Sequence, residues 1–512
     1  MRIIYVLLIR YLVAFILTAL VMAACSPGQG TPAPTVESLI TQTVNANQAP
    51  EETPSSSMPQ TPSGTLTTSQ NAQTPDQGIA PAALPMLSIG SESNDLMLQE
   101  DFPLIQEAGI DTFRYNGLIW SRVEKIEGER DWAGIVDFEE NLSQATSLGV
   151  QTILVVRGTP EWAQKVPGFY CGPIKPEKLQ AFADFLGEAV SRYSQPPYNV
   201  EYWELWNEPD VDARLVKFQS VFGCWGDAFD PYYGGEFFAE MLKAAYPAIK
   251  AADPEAQVLL GGLLLDCDPT NPPEGEECIP GKFFEGILKN GGGDYFDLLS
   301  FHGYANYSGP SSGNDPLYLD LHHPKWENRG GVVLGKIDLL REVMASYGIE
   351  KPLIHTEGSL ICPGANKIDC DPPTQEFFEA QADYVVWLFV RDWAAGLHGA
   401  VWYPFEGPGW RYGALLDENQ NPKPAHRALS FLTKELQGAA YVQPVDQIAP
   451  LTGYEFNSGD KRIWVVWSTD GASYPFTITE EVQAIFDKYG NPVDVSSGQV
   501  NVTSPMYVEF NP

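Results

Sequence analysis

The chain has 512 residues, room for one large domain and a small one, with 44% apolar residues, 13 Trp and 23 Tyr. Its formal charge of −35 argues against a nucleic-acid partner, whose phosphates need a basic surface. Such acidity suits a soluble protein with a neutral substrate or salty surroundings.

In chain order, residues 1–24 read as an export signal. Arg2 and Arg10 precede or flank an apolar stretch, Tyr11–Met22, which ends in Ala23-Ala24-Cys25. An apolar run this short, closed by small residues, suits a signal peptide better than a stable span; the alternative is an uncleaved helical anchor. The small-small-Cys ending resembles the bacterial lipobox, although Met22 stands where Leu is usual. That resemblance implies lipidation of Cys25 as the first mature residue. The expected location is extracytoplasmic, membrane-anchored through the lipid, at the cell surface or in the periplasm. Residues 26–85 carry Pro, Thr, Ser, Gln and Ala without any aromatic residue, Lys or Arg. Such a segment buries too little apolar surface to offset its chain entropy, so 25–85 is expected to be a disordered tether.

Six cysteines remain after Cys25: Cys171, Cys224, Cys267, Cys278, Cys362 and Cys370. An even number in an exported chain suggests disulfides. Proximity favours Cys267–Cys278 and Cys362–Cys370 as loop clips, leaving Cys171–Cys224. No CxxC pair is present, so a zinc site is discounted, and neither metal nor cofactor is expected.

From Met86 short apolar runs alternate with longer amphipathic ones. The apolar runs are Met86–Ile89, Thr112–Arg114, Thr152–Val156, Val200–Trp206, Val258–Gly261, Phe296–Phe301, Pro352–His355 and Gly399–Tyr403. Helical stretches such as Phe138–Leu148, Leu179–Tyr193, Phe237–Ala251, Gly335–Tyr347 and Phe377–Trp393 lie between them. This alternation predicts an α/β fold, a (β/α)8 barrel over 86–435. No Gly-x-Gly-x-x-Gly follows the first strand, which argues against a dinucleotide-binding sheet. Over 436–512, short alternating runs separated by turn signals predict a small antiparallel β-sandwich.

The strongest local signal is Trp203-Glu204-Leu205-Trp206-Asn207-Glu208-Pro209 at the end of the fourth predicted strand. Strand alternation would put Tyr202, Glu204, Trp206 and Glu208 on one face, with Glu208 at the barrel top, where this fold carries its chemistry. Trp-Asn-Glu-Pro in this position resembles the acid/base signature of the clan A glycoside hydrolases, most like family 39 and related family 5-type barrels. In that clan the nucleophile ends strand seven, where Leu353-Ile354-His355-Thr356-Glu357-Gly358 supplies Glu357. The resemblance covers the barrel and, more loosely, the sandwich. It implies a retaining glycoside hydrolase in which Glu208 is the acid/base and Glu357 the nucleophile. Two carboxyl groups about 5–5.5 Å apart permit double displacement. Glu357's negative charge is expected to help raise the pKa of Glu208.

Further site residues follow from the same resemblance. Asn207 offers an amide to a sugar hydroxyl, and Arg114, ending strand two, is expected to bond the nucleophile or pair with Glu204. His302 and Tyr304 end strand six beside the carboxylates. Trp402 on strand eight is a candidate stacking platform or core residue. Trp162, Glu406 and Trp410 lie on top-side loops that could line further subsites, whereas Trp120 and Trp132 are expected to pack. The expected partner is a β-linked oligo- or polysaccharide, bound by a monomer. A non-catalytic glycan-binding lipoprotein and a transglycosylase are the alternatives; neither His-Glu-x-x-His nor Gly-x-Ser-x-Gly supports a peptidase or an esterase.

Overall fold

The computed structural model describes residues 87–93, 98–217, 219–309, 318–363, 370 and 372–511; the signal segment, Cys25 and the tether lie outside the described residues. Eight strands form the expected barrel: β1 (Ser88–Glu92), β2 (Thr112–Ile119), β3 (Gln151–Arg157), β4 (Tyr202–Leu205), β5 (Gln257–Leu263), β6 (Leu298–Asn306), β7 (Leu353–Ile361) and β8 (Gly399–Trp402). They pair in parallel in chain order, and β8 closes on β1. Helices between the strands cover the outside. Helix Leu179–Tyr193 buries Phe182, Phe185, Leu186, Ala189, Val190 and Tyr193, the three-and-four spacing of one apolar face. Thr374 caps helix Gln375–Ala394 by accepting from the Phe377 amide, and Pro424 opens helix Pro424–Glu435.

The barrel interior changes character along its axis. Ile153, Leu259, Leu298, Ile354 and Val401, with Tyr202 against them, fill an apolar layer. Towards the C-terminal ends of the strands the buried residues become polar: Glu92, Arg114, Glu204, Ser300, His302, Thr356 and Glu357. The apolar layer is the floor on which the polar one rests. Strand β2 runs further than expected, through a register shift between Tyr115 and Leu118, so Arg114 is an interior strand residue and does not end it.

The C-terminal strands are β9 (Ala440–Val445), β10 (Leu451–Ser458), β11 (Lys461–Ser468), β12 (Tyr474–Thr477), β13 (Val482–Asp487), β14 (Gln499–Val502) and β15 (Met506–Phe510). They form a five-stranded antiparallel sheet, β13-β15-β11-β10-β9, and a two-stranded one, β12-β14. Alternation gives the larger sheet two apolar faces. Val466, Ile485 and Val508 pack with Phe476, Val500 and Val502 of the small sheet. Phe456, Ile463, Val465, Trp467 and Tyr507 join the core of the barrel's helices. There Trp467 meets Trp387 at 5.4 Å and Phe456 meets Trp393 at 5.0 Å between ring centres. All three disulfides form with the expected partners. Among the described residues no helix is long and apolar enough to cross a membrane.

Candidate active site

The fourth strand ends at Leu205, and the next residues turn sharply. Trp206 and Glu208 both adopt left-handed backbone conformations, φ 78° and 47°, each costing about 1–2 kcal/mol for a residue with a Cβ. The turn breaks the strand alternation. Contrary to expectation, Trp206 does not share a face with Glu208. Its ring packs outward on Phe182 and Trp225, and its indole N–H donates to the Cys171 carbonyl at 2.9 Å. The strained turn is clasped from outside. Gly223 donates to the Asn207 carbonyl, while Trp225 and Gly226 donate to that of Pro209. The Cys171–Cys224 disulfide fixes the clasp between those contacts. From the barrel side, the Glu208 amide donates to the Gly262 carbonyl at 3.0 Å. Residue 262 must be glycine, because a Cβ there would lie 2.0 Å from His302 Nε2.

Arg114 organises the floor of the site. It is wholly buried, and its guanidinium donates to Glu92 at 2.5 Å, Glu204 at 2.6 Å, Glu357 at 2.5 Å and the Asn207 Oδ1 at 2.7 Å. Both sequence expectations for Arg114, contact with the nucleophile candidate and pairing with Glu204, are therefore realised together. Glu204 is further satisfied by the Gly262 amide, Ser300 and Thr356. Burial alone would raise its pKa, but the charge and hydrogen bonds of Arg114 hold it below the usual carboxylate range. Glu92 goes the other way. Burial, helped by the charges of Glu357 and Glu204, lifts it well above that range against the pull of Arg114.

Glu357, on β7, has each oxygen engaged: Oε1 accepts from Arg114, and Oε2 accepts from the Tyr304 hydroxyl. His302 stands between the carboxylates, with Nδ1 3.0 Å from Glu208 Oε1 and 3.5 Å from Glu357 Oε2. One oxygen of Glu208, one of Glu357 and the His302 nitrogen all lie within 4.8 Å of one another. Burial lowers the His302 pKa to about 3, outweighing the attraction of Glu357, so the ring is neutral. Burial raises Glu208 to about 7, against the opposing charges of Arg114 and Lys336. The direction is the expected one, but the principal cause is burial and not the charge of Glu357. Only 12% of the Glu208 side chain is exposed, enough to exchange its proton with the cleft.

Several residues depart from their expected places. Trp402 is wholly buried and faces the helices: its ring contacts Tyr384 and its indole N–H donates to the Gly413 carbonyl. Its neighbour Val401 belongs to the inner apolar layer, so alternation turns Trp402 outward and corrects the platform expectation to core. Tyr403, which the sequence did not single out, takes the inward place, 6.0 Å from Tyr304 ring to ring. Trp162 is held in packing, edge-on to Trp120 with its N–H on the Glu124 carbonyl. Trp410 is 47% exposed, with its ring 5.3 Å from that of Tyr304. Glu406 accepts from Ser93 at 2.5 Å above β1.

Two charged residues behind the site also escaped the sequence reading. Lys336, on the buried face of helix Val332–Ser346, donates to the carbonyls of Leu264 and His302 at 2.6 and 2.8 Å. Asp210 accepts from the Leu264 and Leu265 amides. Burial draws Lys336 down to about 8 and Asp210 up to about 6. The available signal was a lysine inside the apolar run Val332-Val333-Leu334-Gly335-Lys336-Ile337.

Glu208, His302 and Glu357 are close enough to share a cation. However, both Glu357 oxygens already accept from Arg114 and Tyr304, and a cation there would face the Arg114 charge. Cys267, Cys278 and Glu276 also cluster, but the sulfurs are joined in a disulfide and offer no thiolate.

No family model matches the sequence, and no curated protein does. Solved structures share the fold at low identity. A family 39 glycoside hydrolase from Bacteroides cellulosilyticus WH2 superposes with TM-score 0.59 at 19% identity, over 85% of this chain and 83% of that one. A family 30 subfamily 8 xylanase from Clostridium acetobutylicum gives 0.53 at 14% identity, over 84% and 98%. A family 39 β-xylosidase from Caulobacter crescentus gives 0.51 at 16% identity, over 85% and 98%.

Proposed function

We propose that this chain is a retaining glycoside hydrolase that cleaves a β-linked oligo- or polysaccharide by double displacement. The observation that carries this reading is the Glu208–Glu357 pair, with oxygens within 4.8 Å of each other at the C-terminal end of the barrel. That closeness suits direct attack by one carboxylate, as double displacement requires. A glycan-binding protein would need neither carboxylate, which disfavours the non-catalytic alternative.

In the first step Glu357 attacks the anomeric carbon while Glu208 gives its proton to the leaving oxygen. Arg114 and Tyr304 orient the attacking carboxylate and stabilise its charge. The neutral His302 hydrogen-bonds Glu208 Oε1 through Nδ1 and holds that carboxyl in place for proton transfer. In the second step Glu208, now ionised, takes a proton from water. Arg114 holds the Asn207 amide by its oxygen, which leaves its nitrogen as the donor for a sugar hydroxyl. Trp410 supplies an apolar wall for a sugar's C–H face. The xylanase and β-xylosidase among the similar folds make aryl β-xylosides and xylan reasonable first substrates. The export signal and Cys25 support an enzyme working outside the cytoplasm on a lipid tether.

The test is a panel of aryl β-glycosides and polysaccharides, run with the wild type and a Glu357 variant. Glu357-independent turnover would remove the assignment. A pH profile adds a signed expectation. Glu208 must be protonated for the first step, so kcat/KM should fall about tenfold per pH unit above about 7. Glu208→Ala should abolish that limb for 4-nitrophenyl leaving groups, which need little acid assistance. The two tryptophans should also separate. Trp410→Ala should raise KM about 3–10-fold, whereas Trp402→Phe should lower stability by about 1–3 kcal/mol through the orphaned Gly413 carbonyl. Thermal denaturation beside steady-state kinetics distinguishes them.

A further inference from the structure

Behind the acid/base carboxyl lies a buried cation that the two steps above do not use. Strands β5 and β6 pair as far as Leu263 with Phe301. Just beyond that pair, the carbonyls of Leu264 and His302 converge on one ammonium, Lys336 Nζ, at 2.6 and 2.8 Å. Lys336 reaches them from the buried face of helix Val332–Ser346. It joins the two strand ends where the β5–β6 ladder stops, and among the described residues no carboxylate pairs with it directly.

Its counter-charge arrives through a peptide bond. The Leu264–Leu265 peptide gives its carbonyl to Lys336 and its N–H to Asp210 Oδ2 at 2.7 Å, while Asp210 Oδ1 takes the Leu264 N–H at 2.9 Å. Leu265 is left-handed, φ 51°, a conformation that a residue with a Cβ keeps only where its contacts fix it. Asp210 stands two residues beyond Glu208, so this bridge ties the acid/base turn to the end of β5. The second bond of Lys336 ties the same point to the backbone of His302, whose Nδ1 is 3.0 Å from Glu208 Oε1. Both partners of that contact therefore hang from backbone held by one cation. Burying a lysine and an aspartate gains little stability, since apolar side chains of similar size usually serve as well. What the charged bridge supplies is fixed geometry in a site that water does not loosen.

We propose that Lys336 is a positioning residue for proton transfer, which with Asp210 clamps the Leu264–Leu265 peptide and the His302 carbonyl and so sets Glu208 against His302. The inference rests on the hydrolase reading above and adds a residue to its first step. The clamp serves one carboxylate and not the other. Glu357 is held by Arg114 and Tyr304, neither of which is bonded to Lys336. Loosening the clamp should therefore spare nucleophilic attack and impair protonation of the leaving oxygen.

Leaving groups of graded acidity separate these two halves of the step. Lys336→Met and Asp210→Asn are assayed in the full chain with 2,4-dinitrophenyl, 4-nitrophenyl and phenyl β-glycosides, β-D-xylosides first and then the other sugars of the substrate panel. The readout is kcat/KM, which reports the first step. In both variants it should fall about 10–100-fold for the phenyl glycoside, a large part of what a general acid supplies. For the 2,4-dinitrophenyl glycoside, whose phenolate leaves without a proton, the loss should stay within about threefold. The dependence of log kcat/KM on leaving-group acidity should thus steepen. Asp210→Asn keeps the shape of its side chain and decides the matter if Lys336→Met does not fold. A loss equal for all three leaving groups, or no loss, in a variant with a thermal midpoint close to wild type would overturn the proposal. Glu357-dependent turnover in the wild type without steepening in the variants sinks this inference alone. Absence of Glu357-dependent turnover on every sugar of the panel sinks the hydrolase reading, and the role of Lys336 falls with it.

Discussion

Glu357→Ala is expected to lower kcat by about 10⁴–10⁶-fold on any responsive glycoside, the scale of losing a covalent nucleophile. The fold should survive. Glu357 is one of three carboxylates on Arg114, and the other two, Glu92 and Glu204, remain to compensate the buried guanidinium. Added azide should enter the space left by the carboxylate and restore part of the rate, giving a glycosyl azide of inverted configuration. That product separates loss of a nucleophile from general damage to the site. Circular dichroism and a thermal midpoint close to wild type would complete the observation. A rate loss below about tenfold would assign Glu357 to the structural ion network.

Arg114→Met is expected to be the most damaging single change to the fold of the site. It removes the one cation shared by Glu92, Glu204 and Glu357, all nearly or wholly buried. Leaving such charges without a partner costs about 3–5 kcal/mol. The pH dependence carries a definite sign. Without Arg114, burial holds the folded pKa values of Glu92 and Glu204 above their unfolded ones, so the folded state binds more protons. Their contribution to stability is then fullest below the unfolded pKa and is lost as pH rises through the folded values. The deficit against wild type should therefore be largest near neutral pH and shrink towards pH 4. Urea unfolding at several pH values reads this directly. A deficit independent of pH would mean that lost packing, and not uncompensated charge, is the cause.

How much of this was visible in the sequence differs by kind of feature. The barrel was legible because apolar runs and amphipathic helices are local patterns that survive in any register. The carboxylate pair was legible because Trp206-Asn207-Glu208-Pro209 and Thr356-Glu357-Gly358 sit at the ends of such runs. Phase was harder to see. Alternation extrapolated beyond Leu205 fails because Trp206 and Glu208 turn left-handed, which no propensity of Trp or Glu announces. On β8 the choice between Trp402 and Tyr403 depended on which of two neighbours faced inward, and only the packing of Val401 in the inner layer decides it. Lys336 was invisible for another reason. Its meaning lies in the carbonyl oxygens that surround it. The raised pKa of Glu208 was inferred with the right sign from its neighbour's charge, yet burial produces most of it.

The most direct test of the double-displacement account is to trap its intermediate. A 2-deoxy-2-fluoro β-glycoside of the sugar that the panel identifies, with a good leaving group, should inactivate the wild type in a time-dependent manner. Intact mass should rise by one fluoroglycosyl group, and peptide mapping should place it on Glu357, with no labelling of Glu357→Ala. A label on any other residue, or release of an inverted product without labelling, would contradict the account.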